Sequence, residues 1–394
     1  MKPPIAIRHL PVLSAVTLCF ALVLSVTGAQ AGDGEDRTAR APIVKTRKIA
    51  PGVRYMKIVR RQVPLRTFVL RLDLSKAITL DTTIADAALP SRRRLTDIVG
   101  SAGALAGVNG DYGDLGPGSP VHPFAQDGEL LRTSNAFGTA FAVTRDESTV
   151  LFGNPRLDVT ITDTSSGREF TLERWNQGDP APGELVGFSP LGGTLEPPPR
   201  FACNARLLPQ GPPTPAEPDG VDRQYVVDVV GCFAEPLARS GGVVISAAPA
   251  TDEAVELLAL QPGTTVRLLW TIGWSNVFDV VGGAPLLLRD GDLVGICNSA
   301  CGRHPRTGVG VTASGEILLV VVDGRQPRWS RGATMFEFAR ILRDLGAVTA
   351  MNLDGGGSSE MVVKGDVVNR PSDGHERAIT NAILVLPGPD PGEA

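Results

Sequence analysis

The sequence lacks an excess of positive charge. Its 38 lysines and arginines are outnumbered by 42 aspartates and glutamates, which gives a formal net charge of −4. Binding to a nucleic-acid backbone usually requires a net basic surface, so this balance argues against nucleic acid as a partner. The run Arg92-Arg93-Arg94 does not reverse the argument, because three adjacent arginines are typical of a solvated loop or a helix start.

Long apolar runs are also lacking, except near the N-terminus. There Lys2 and Arg8 precede the apolar run Val12–Val26, and Ala29-Gln30-Ala31 resembles a signal-peptidase site. The run is short for a membrane span, and no later segment is apolar and long enough to cross a bilayer. We therefore predict a signal peptide over residues 1–31, no membrane span, and a secreted or periplasmic protein.

Cysteine is scarce, with five in 394 residues. Loss of the predicted signal peptide removes Cys19 and leaves four cysteines in an oxidising compartment. Three pairings are open, and we favour Cys203–Cys232 with Cys297–Cys301, because short loops close at the least entropic cost. Zinc is the alternative, but the C-x3-C spacing of Cys297 and Cys301 has no second pair to complete four ligands.

Short strand-like runs and turns dominate the rest of the chain. Its 45 glycines and 32 prolines favour turns over long helices. Thr334 and Glu337 form a capping box before an apolar helical face that ends at Gly346, and Thr96 could cap a shorter helix that continues to about residue 105. We predict an α+β fold, a single domain of mixed, largely antiparallel sheets with few helices.

The domain boundaries follow from composition. Residues 32–50 are polar, charged and turn-prone, which predicts a linker, and residues 51–388 form the predicted domain. Within that domain, prolines and glycines crowd residues 176–222. We predict a surface excursion there, held by the Cys203–Cys232 disulfide.

The strongest candidate site follows a predicted strand and has the sequence Asn352-Leu353-Asp354-Gly355-Gly356-Gly357-Ser358-Ser359. A carboxylate followed by three residues without Cβ lets a ligand approach the backbone. Successive free N–H groups can form an anion-binding nest, to which Ser358 adds a hydroxyl. The alternative is a tight turn or bulge capped by Asp354. The run is neither a Walker loop nor a nucleophile elbow, because the lysine and the final glycine of those motifs are missing.

Two further polar segments carry groups suited to a phosphorylated ligand. Asn109-Gly110-Asp111-Tyr112 leaves a predicted strand, although Asn-Gly alone favours a type I′ hairpin turn. Arg303–Thr307 contains two arginines and a histidine, which suit phosphate. The alternative for Arg303–Thr307 is a solvated basic turn.

The remaining polar positions are less specific. Asp323-Gly324-Arg325 ends a predicted buried strand and could be a simple turn. A polar cluster, which could equally be a C-terminal loop, follows the last predicted hairpin at Asn369, Ser372, Asp373 and Arg377. His122 and His375 have no metal-ligand spacing and are more typical of polar loops.

Together these segments resemble the phosphodiester glycosidase family. Ala350–Ser359 is similar to the family's (Leu/Ile)-Asn-Leu-Asp-Gly-Gly-Gly-Ser core, and Pro305–Gly310 is similar to its Arg-Thr-Ala-(Ile/Val)-Gly element, with Gly308 in place of the usual alanine. The likeness extends over roughly residues 50–386. Its other elements, in chain order, are Val108–Tyr112, Gly282–Leu286 with Asp290-Gly291, Asp323-Gly324 and Asn369–Asp373.

The resemblance implies hydrolysis of the anomeric C–O bond in a sugar-1-phosphate diester, which releases free sugar and a phosphomonoester. That leaving group is a weak base, with a second ionisation near pH ~6, so the acid carboxylate of ordinary glycosidases is less necessary. Asp354 would act as nucleophile or base, with Asp323 or Asp111 as the alternate. Arg306 and Arg325 would bind phosphate.

The implied pocket is completed by amides and backbone. Its asparagines would hold sugar hydroxyls or fix the carboxylate, and its glycines and serine would line the pocket. These residues are Asn109, Asn352 and Asn369, and Gly110, Gly355, Gly356, Gly357 and Ser358. The scheme requires no cofactor or metal, although an Asp-rich pocket could bind calcium. The alternatives are a non-catalytic module that binds phosphorylated surface glycans, and a metal-dependent phosphodiesterase that cuts the P–O bond.

Overall fold

The computed structural model describes residues 41–113, 118–133, 139–146, 149–155, 157–193, 200–215, 220–294 and 302–388. These residues belong to one compact unit, Arg40–Ala394. The predicted signal peptide and the predicted Cys297–Cys301 disulfide lie outside the described residues.

Strands make up most of the regular structure in the described residues. They are β1 Ile43–Ala50, β2 Val53–Arg60, β3 Leu65–Leu72, β4 Ile78–Ile84, β5 Ala106–Asn109, β6 Phe124–Gln126, β7 Glu129–Arg132, β8 Thr139–Thr144, β9 Val150–Gly153, β10 Asp158–Asp163, β11 Glu169–Leu172, β12 Arg174–Trp175, β13 Leu185–Phe188, β14 Ala202–Pro215, β15 Val221–Phe233, β16 Val243–Ala247, β17 Thr265–Thr271, β18 Val277–Gly283, β19 Leu286–Arg289, β20 Asp292–Leu293, β21 Arg306–Thr312, β22 Ile317–Val322, β23 Ala347–Asn352, β24 Met361–Val363, β25 Asp366–Val367 and β26 Asn381–Pro387. The helices are α1 Leu95–Ser101, α2 Asp252–Leu258 and α3 Met335–Asp344, with 3₁₀ turns at Pro190–Gly192 and Gly356–Ser358. None of these helices has the length and apolarity needed to cross a membrane.

The strands form four sheets. Their strand orders are β1-β2-β3-β22-β21-β23-β19-β20, β11-β10-β17-β15-β14-β16-β13-β12, β7-β6-β18-β8-β9 and β25-β24-β5-β26-β4. The parallel pair among them is β12 with β13, and the other named pairings are antiparallel. The predicted α+β fold with largely antiparallel sheets and few helices is therefore confirmed.

Burial patterns show how the sheets pack. Ile78–Ile84 alternates buried and half-buried residues, as expected of a strand with one face on the core. All six residues of Ile317–Val322 are buried, because the core covers one face of the first sheet and α3 covers the other. Phe338 and Leu342 of α3 are fully buried against this second face.

The two helix predictions had different outcomes. For α3 the capping box is present, since Thr334 Oγ1 accepts from Glu337 N at 3.2 Å and the Glu337 carboxylate accepts from Thr334 N at 3.0 Å. For α1 the prediction of Thr96 as the cap is wrong, because Arg94 occupies the cap position and makes no side-chain cap bond. The Thr96 hydroxyl instead donates to Glu376 at 2.9 Å.

The structure also differs from the predictions in two segments. Part of the predicted linker forms β1, which pairs with β2 along its length. The predicted surface excursion over residues 176–222 contributes β13 and all of β14 to the second sheet, and Cys203–Leu207 of β14 are paired with strands on both sides. Prolines were misleading there because they cluster at the exposed outer end of β14. The predicted Cys203–Cys232 disulfide is present between directly opposed residues of β14 and β15.

Gly308 lies where two layers approach closely, and this allows a stability test. A Cβ at this position would lie 2.8 Å from Met351 O and 2.8 Å from the Phe338 ring. Gly308→Ala should therefore destabilise the fold by about 1–3 kcal/mol through overpacking. Gly100→Ala is the matched control, because a Cβ there meets nothing within 4 Å and alanine favours the helix by up to about 1 kcal/mol. Denaturant unfolding that ranks the two variants equally would contradict this packing.

Candidate functional site

The two strongest candidate segments meet in the structure. Asp354 N donates to Gly110 O at 3.0 Å, and Asn109 Nδ2 donates to Asp354 O at 2.8 Å. β5 lies between β24 and β26 in the fourth sheet, so Asn109-Gly110 leaves a central strand. The alternative of a hairpin turn at this Asn-Gly pair is therefore wrong.

The glycine loop after Asp354 does not form the predicted nest of free N–H groups. The amides of Gly355, Gly356, Ser358 and Ser359 are each engaged within the protein, with Gly356 N donating to Pro305 O at 3.0 Å. The glycines instead make room for two guanidinium groups. A Cβ on Gly356 would lie 3.0 Å from Arg325 Nη2, and one on Gly357 would overlap the guanidinium of Arg377.

A cavity of about 220 Å³ opens beside this loop. Its walls carry two carboxylates, two arginines and several hydroxyl groups. The lining residues are Arg92, Asn109, Asp111, Tyr112, Gly113, Asp354, Ser358, Arg377, Ala378, Ile379 and Thr380. Because both candidate segments contribute carboxylates to it, this cavity is the candidate active site.

Asp354 is the more accessible of the two carboxylates. Its Oδ1 accepts from Gly355 N at 2.7 Å, and the Ser358 side chain also donates to the carboxylate. Burial raises the pKa of Asp354, and the nearby Asp111 acts in the same direction, while Ser358, Gly355 and Arg377 oppose the shift. A half-exposed carboxylate of raised basicity suits a nucleophile or a general base.

Asp111 is 4% exposed and is held from several sides. Its carboxylate accepts from Tyr112 N at 2.7 Å and from His122 N at 2.7 Å, and His122 Nδ1 lies 2.6 Å from Asp111 Oδ1. The imidazole also packs edge-on against the Tyr112 ring, with centroids 5.7 Å apart. His122 was predicted to be an ordinary polar loop residue, and no motif in the sequence connects it with Asp111.

The predicted asparagines tie strand ends together. Asn109 Oδ1 accepts from Thr307 Oγ1 at 2.7 Å and from Glu360 N at 3.1 Å. Asn352 Nδ2 donates to Tyr112 Oη at 2.7 Å, and Tyr112 Oη donates to Ala284 O at 3.1 Å. Burial raises the pKa of Tyr112 to about 12, which keeps this phenol neutral as a hydrogen-bond donor.

Asp323 lies at a different place from the cavity. It is 1% exposed, and its carboxylate accepts from Asn369 Nδ2 at 3.1 Å, Arg370 N at 3.0 Å and Trp329 Nε1 at 2.7 Å. Burial raises the pKa of Asp323, and these donors oppose the shift. Asn369 also accepts from Met361 N at 2.9 Å. In the described residues, neither Asp323 nor Asn369 lines the cavity.

Neither of the two predicted phosphate-binding arginines is among the described residues that line the cavity, although the Arg325 guanidinium lies against Gly356 of the glycine loop. Arg306 is largely buried and donates to Ala333 O at 3.1 Å and to Gly302 O at 3.0 Å. Arg325 Nε donates to His304 Nδ1 at 3.3 Å. Burial lowers the pKa of His304, and both arginines act in the same direction.

Among the described residues, Arg377 and Arg92 are the cations that line the cavity. The sequence placed Arg377 in a polar cluster after the last predicted hairpin, with a C-terminal loop as the alternative, and gave Arg92 no site role. Arg377 donates to Asp373 at 2.6 Å while it covers Gly357. Arg92 is far from the glycine loop in sequence, so no local pattern could connect the two.

A second carboxyl pair lies beneath the glycine loop. Glu360 is fully buried, and burial raises its pKa to about 9, with a hydrogen bond to Glu376 and repulsion by that residue's charge acting in the same direction. Glu376 accepts from Thr96 N at 3.2 Å in the first turn of α1. Glu360 is therefore a neutral acid at neutral pH that joins β24 to the segment bearing Arg377.

The described residues contain one group of three carboxylates with the spacing of a cation site. Its members are Asp81, Asp127 and Asp279, whose nearest oxygens lie within 4.8 Å of one another. Asp127 N donates to Asp279 Oδ1 at 2.7 Å, so a backbone group already compensates part of the charge. None of the three lines the cavity beside Asp354.

The cavity therefore brings two carboxylates in different environments together with two arginines. Residues 223–386 match the family model described as phosphodiester glycosidase. The family resemblance predicted from the sequence is thereby confirmed, and it supports a hydrolase of the glycosidase type.

Curated relatives match over short stretches. The chain is 41% identical over 68 residues to N-acetylglucosamine-1-phosphodiester alpha-N-acetylglucosaminidase of Mus musculus, which covers 17% of this chain and 13% of that protein. It is 37% identical over 83 residues to the SPbeta prophage-derived uncharacterized protein YomE of Bacillus subtilis, which covers 21% of this chain and 13% of the relative. The aligned stretch thus spans about an eighth of the length of each relative.

Solved structures share the fold over a longer range. A hypothetical protein from Synechocystis has a TM-score of 0.65 at 22% identity, covering 88% of this chain and 64% of that one. A protein of Burkholderia pseudomallei K96243 has a TM-score of 0.59 at 23% identity, covering 82% of this chain and 74% of that one. At these identities the likeness shows a common fold.

The Glu360–Glu376 pair predicts a specific pH dependence of stability. Because the folded-state pKa of Glu360, about 9, lies above the ordinary value, the stability associated with its neutral form is fully present below about pH 4.3 and is lost as the pH rises toward 9. Glu360→Gln keeps a neutral hydrogen-bond donor. Its stability relative to the natural protein should therefore increase with pH, by up to about 1.4 kcal/mol per pH unit.

Thermal unfolding at pH 5, 7 and 9 measures this difference. Glu256→Gln, at an exposed position of α2, is the control and should show no such trend. A stability difference between Glu360→Gln and the natural protein that stays constant from pH 5 to pH 9 would contradict the neutral pair.

Proposed function

We propose that the chain is an exported hydrolase that cleaves the anomeric C–O bond of a sugar-1-phosphate diester, releasing free sugar and a phosphomonoester. The observation that carries the proposal is the cavity in which Asp354 and Asp111 meet two arginines. The family match over residues 223–386 supports the same reaction class, and the predicted signal peptide supports export.

Asp354 is the proposed nucleophile or base. It is the half-exposed carboxylate, and desolvation raises its pKa, so its basicity exceeds that of an ordinary aspartate. Asp354 must be ionised to act, so activity should fall as the solution is acidified. The midpoint of this fall should lie above pH about 4, the ordinary pKa of an aspartate. Asp111 is enclosed by the amides of Tyr112 and His122 and by the His122 ring. We assign Asp111 to fixing the cavity wall and to the electrostatic stabilisation of positive charge at the anomeric carbon.

Arg377 and Arg92 are the proposed phosphate ligands, because they are the cations that line the cavity. Arg377 already lies against the loop that carries Asp354, so a phosphate bound to it would place the anomeric carbon near that carboxylate. Arg306 and Arg325 do not line the cavity, so the phosphate binding predicted for them requires a substrate that extends out of the cavity toward Arg325. The phosphomonoester leaves as a weak base, so the cavity requires no dedicated acid.

Two other functions would use the same groups. A non-catalytic module would bind phosphorylated glycans without turnover, and a metal-dependent phosphodiesterase would cut a P–O bond. Cleavage of the P–O bond on the sugar side would yield the same two products as glycoside cleavage. The decisive measurement is therefore hydrolysis of a panel of sugar-1-phosphate diesters in ¹⁸O-water. Free sugar released with an unlabelled phosphomonoester supports the proposal, label in the phosphate supports the phosphodiesterase, and the absence of product supports the binding module.

Asp354→Asn tests the role of the accessible carboxylate. We expect kcat to fall by at least about 10³-fold, since an amide is neither nucleophile nor base. The melting temperature should stay within about 3 °C, because Asn can still accept from Gly355 N and removes a buried charge. Steady-state kinetics on the best substrate of the panel and thermal unfolding measure the two effects.

Asp323→Asn is the matched control. It makes the same chemical change at a buried carboxylate outside the cavity, where an amide N–H would face one of the donors Trp329, Asn369 and Arg370. We expect a loss of about 1–3 kcal/mol in stability with kcat retained within about tenfold in the folded protein. If Asp354→Asn folds and keeps full activity, Asp354 has no role in the chemistry.

A further inference from the structure

Positive charge is concentrated at the start of the described chain. Residues 41–72, here called the cationic ribbon, comprise β1, β2 and β3 and contain nine lysines and arginines but no aspartate or glutamate. The rest of the chain has 29 basic residues against all 42 acidic ones. The ribbon is therefore strongly positive within an otherwise acidic protein.

The ribbon contains like-charged residues that face each other across neighbouring strands. In the β1–β2 pair, Lys45 is directly opposite Lys57, and Lys48 is directly opposite Arg54. Such pairs destabilise a sheet. β1 is an edge strand, and its residues through Lys48 are exposed. Within the described residues, Arg71 is the ribbon member with an ion pair, which it forms with Glu316. An uncompensated stripe of this kind indicates a surface that receives an anionic ligand.

Trp329 organises one end of the stripe. The Arg66 guanidinium lies 3.5 Å from the centroid of its half-buried indole, Lys57 Nζ lies 5.7 Å away, and the Arg370 guanidinium lies 5.4 Å away. Burial lowers the pKa of Arg66, the charge of the buried Asp323 opposes this shift, and the charges of Arg61 and Arg370 act in the same direction as burial. Several cations therefore lie close together around the indole.

One short loop connects this cluster with the candidate site. The loop begins after β22 with Asp323 and carries Arg325, whose guanidinium lies against Gly356 of the glycine loop. It continues through Gln326, whose side chain donates to Arg370 O at 3.0 Å, and ends with Trp329. A chain of anionic groups that left the cavity beside the glycine loop would meet Arg325 and then the Trp329 cluster.

We propose that the cationic ribbon, together with Trp329 and Arg370, binds a polymer with repeating phosphate groups, and that this polymer is the part of the diester that remains after the sugar is released. The identity of the polymer as the aglycone rests on the proposed function. Binding is electrostatic and runs along the extended strands, so it should weaken steeply with salt. The phosphates of an anionic membrane are the other source of such charge, because the exposed Ile43, Val44 and Val63 also belong to the ribbon.

The test compares two triple variants of the full mature chain. Lys57→Gln, Arg61→Gln and Arg370→Gln remove three charges near Trp329 or its neighbour Arg66. Arg168→Gln, Arg289→Gln and Lys364→Gln remove three charges from exposed positions outside the ribbon. Calorimetric titration at 0.05 to 0.2 M salt measures binding of inorganic polyphosphate to each. We expect at least about tenfold weaker binding and a shallower salt dependence for the first variant, and less than about twofold change for the second.

Three outcomes overturn the proposal. These are absence of polyphosphate binding by the natural protein, equal loss of binding in both variants, and binding restricted to vesicles of anionic phospholipid.

Turnover of a short sugar-1-phosphate diester separates this proposal from the proposed function. The ribbon variant should hydrolyse it at the natural rate, since the substituted residues do not line the cavity. If the natural protein binds polyphosphate through the ribbon but hydrolyses no diester, the proposed function fails and polyanion binding stands.

Discussion

The side chain of Asn109 is the interaction on which the candidate site depends. It is almost fully buried at the end of β5 and reaches three other chain segments. Its amide donates to Asp354 O, and its Oδ1 accepts from Thr307 at the start of β21 and from Glu360 just before β24. A buried amide with both ends bonded fixes the relative positions of these segments, because each lost partner would leave an unsatisfied polar group. Asp354 and Asp111 share a cavity because this residue holds their strands together.

The same arrangement separates the two carboxylates chemically. Asp111 is enclosed and accepts from the backbone N–H groups of Tyr112 and His122, whereas Asp354 is the more accessible carboxylate, and burial raises its pKa. Pairs of titratable groups in contrasting environments are the usual means by which hydrolases divide roles between similar side chains. In the proposed reaction the phosphate leaving group needs little protonation, so the proposed division is between an accessible base, Asp354, and an enclosed carboxylate, Asp111. It differs from the acid and base of an ordinary glycosidase.

Local sequence predicted the parts of the structure that local forces determine. The capping box at Thr334 follows from a short-range pattern. The contact between the glycine loop and Asn109 instead joins residues 245 positions apart and depends on how the strands pack. The role of His122 was not recognised, because its partner Asp111 is brought to it by the fold. Arg377 was recognised only as part of a polar cluster, because its contact with Gly357 also depends on the fold. The prediction for the glycines gave the wrong reason for their presence. The missing Cβ atoms of Gly356 and Gly357 leave room for arginine side chains, and most of the loop amides are bonded within the protein.

This use of glycine connects the cavity with the charge distribution of the whole chain. Arg325 and Arg377 approach the loop closely because no Cβ intervenes, so positive charge lies directly against the segment that carries Asp354. Arg325 in turn begins the loop that ends at Trp329 and its cluster of cations. A substrate of a single negative charge would be held by the cavity arginines alone and would leave the like-charged pairs of β1 and β2 without compensation. Within the proposed function, the charge distribution therefore favours a ligand whose negative charge continues beyond the cleaved bond over an isolated diester.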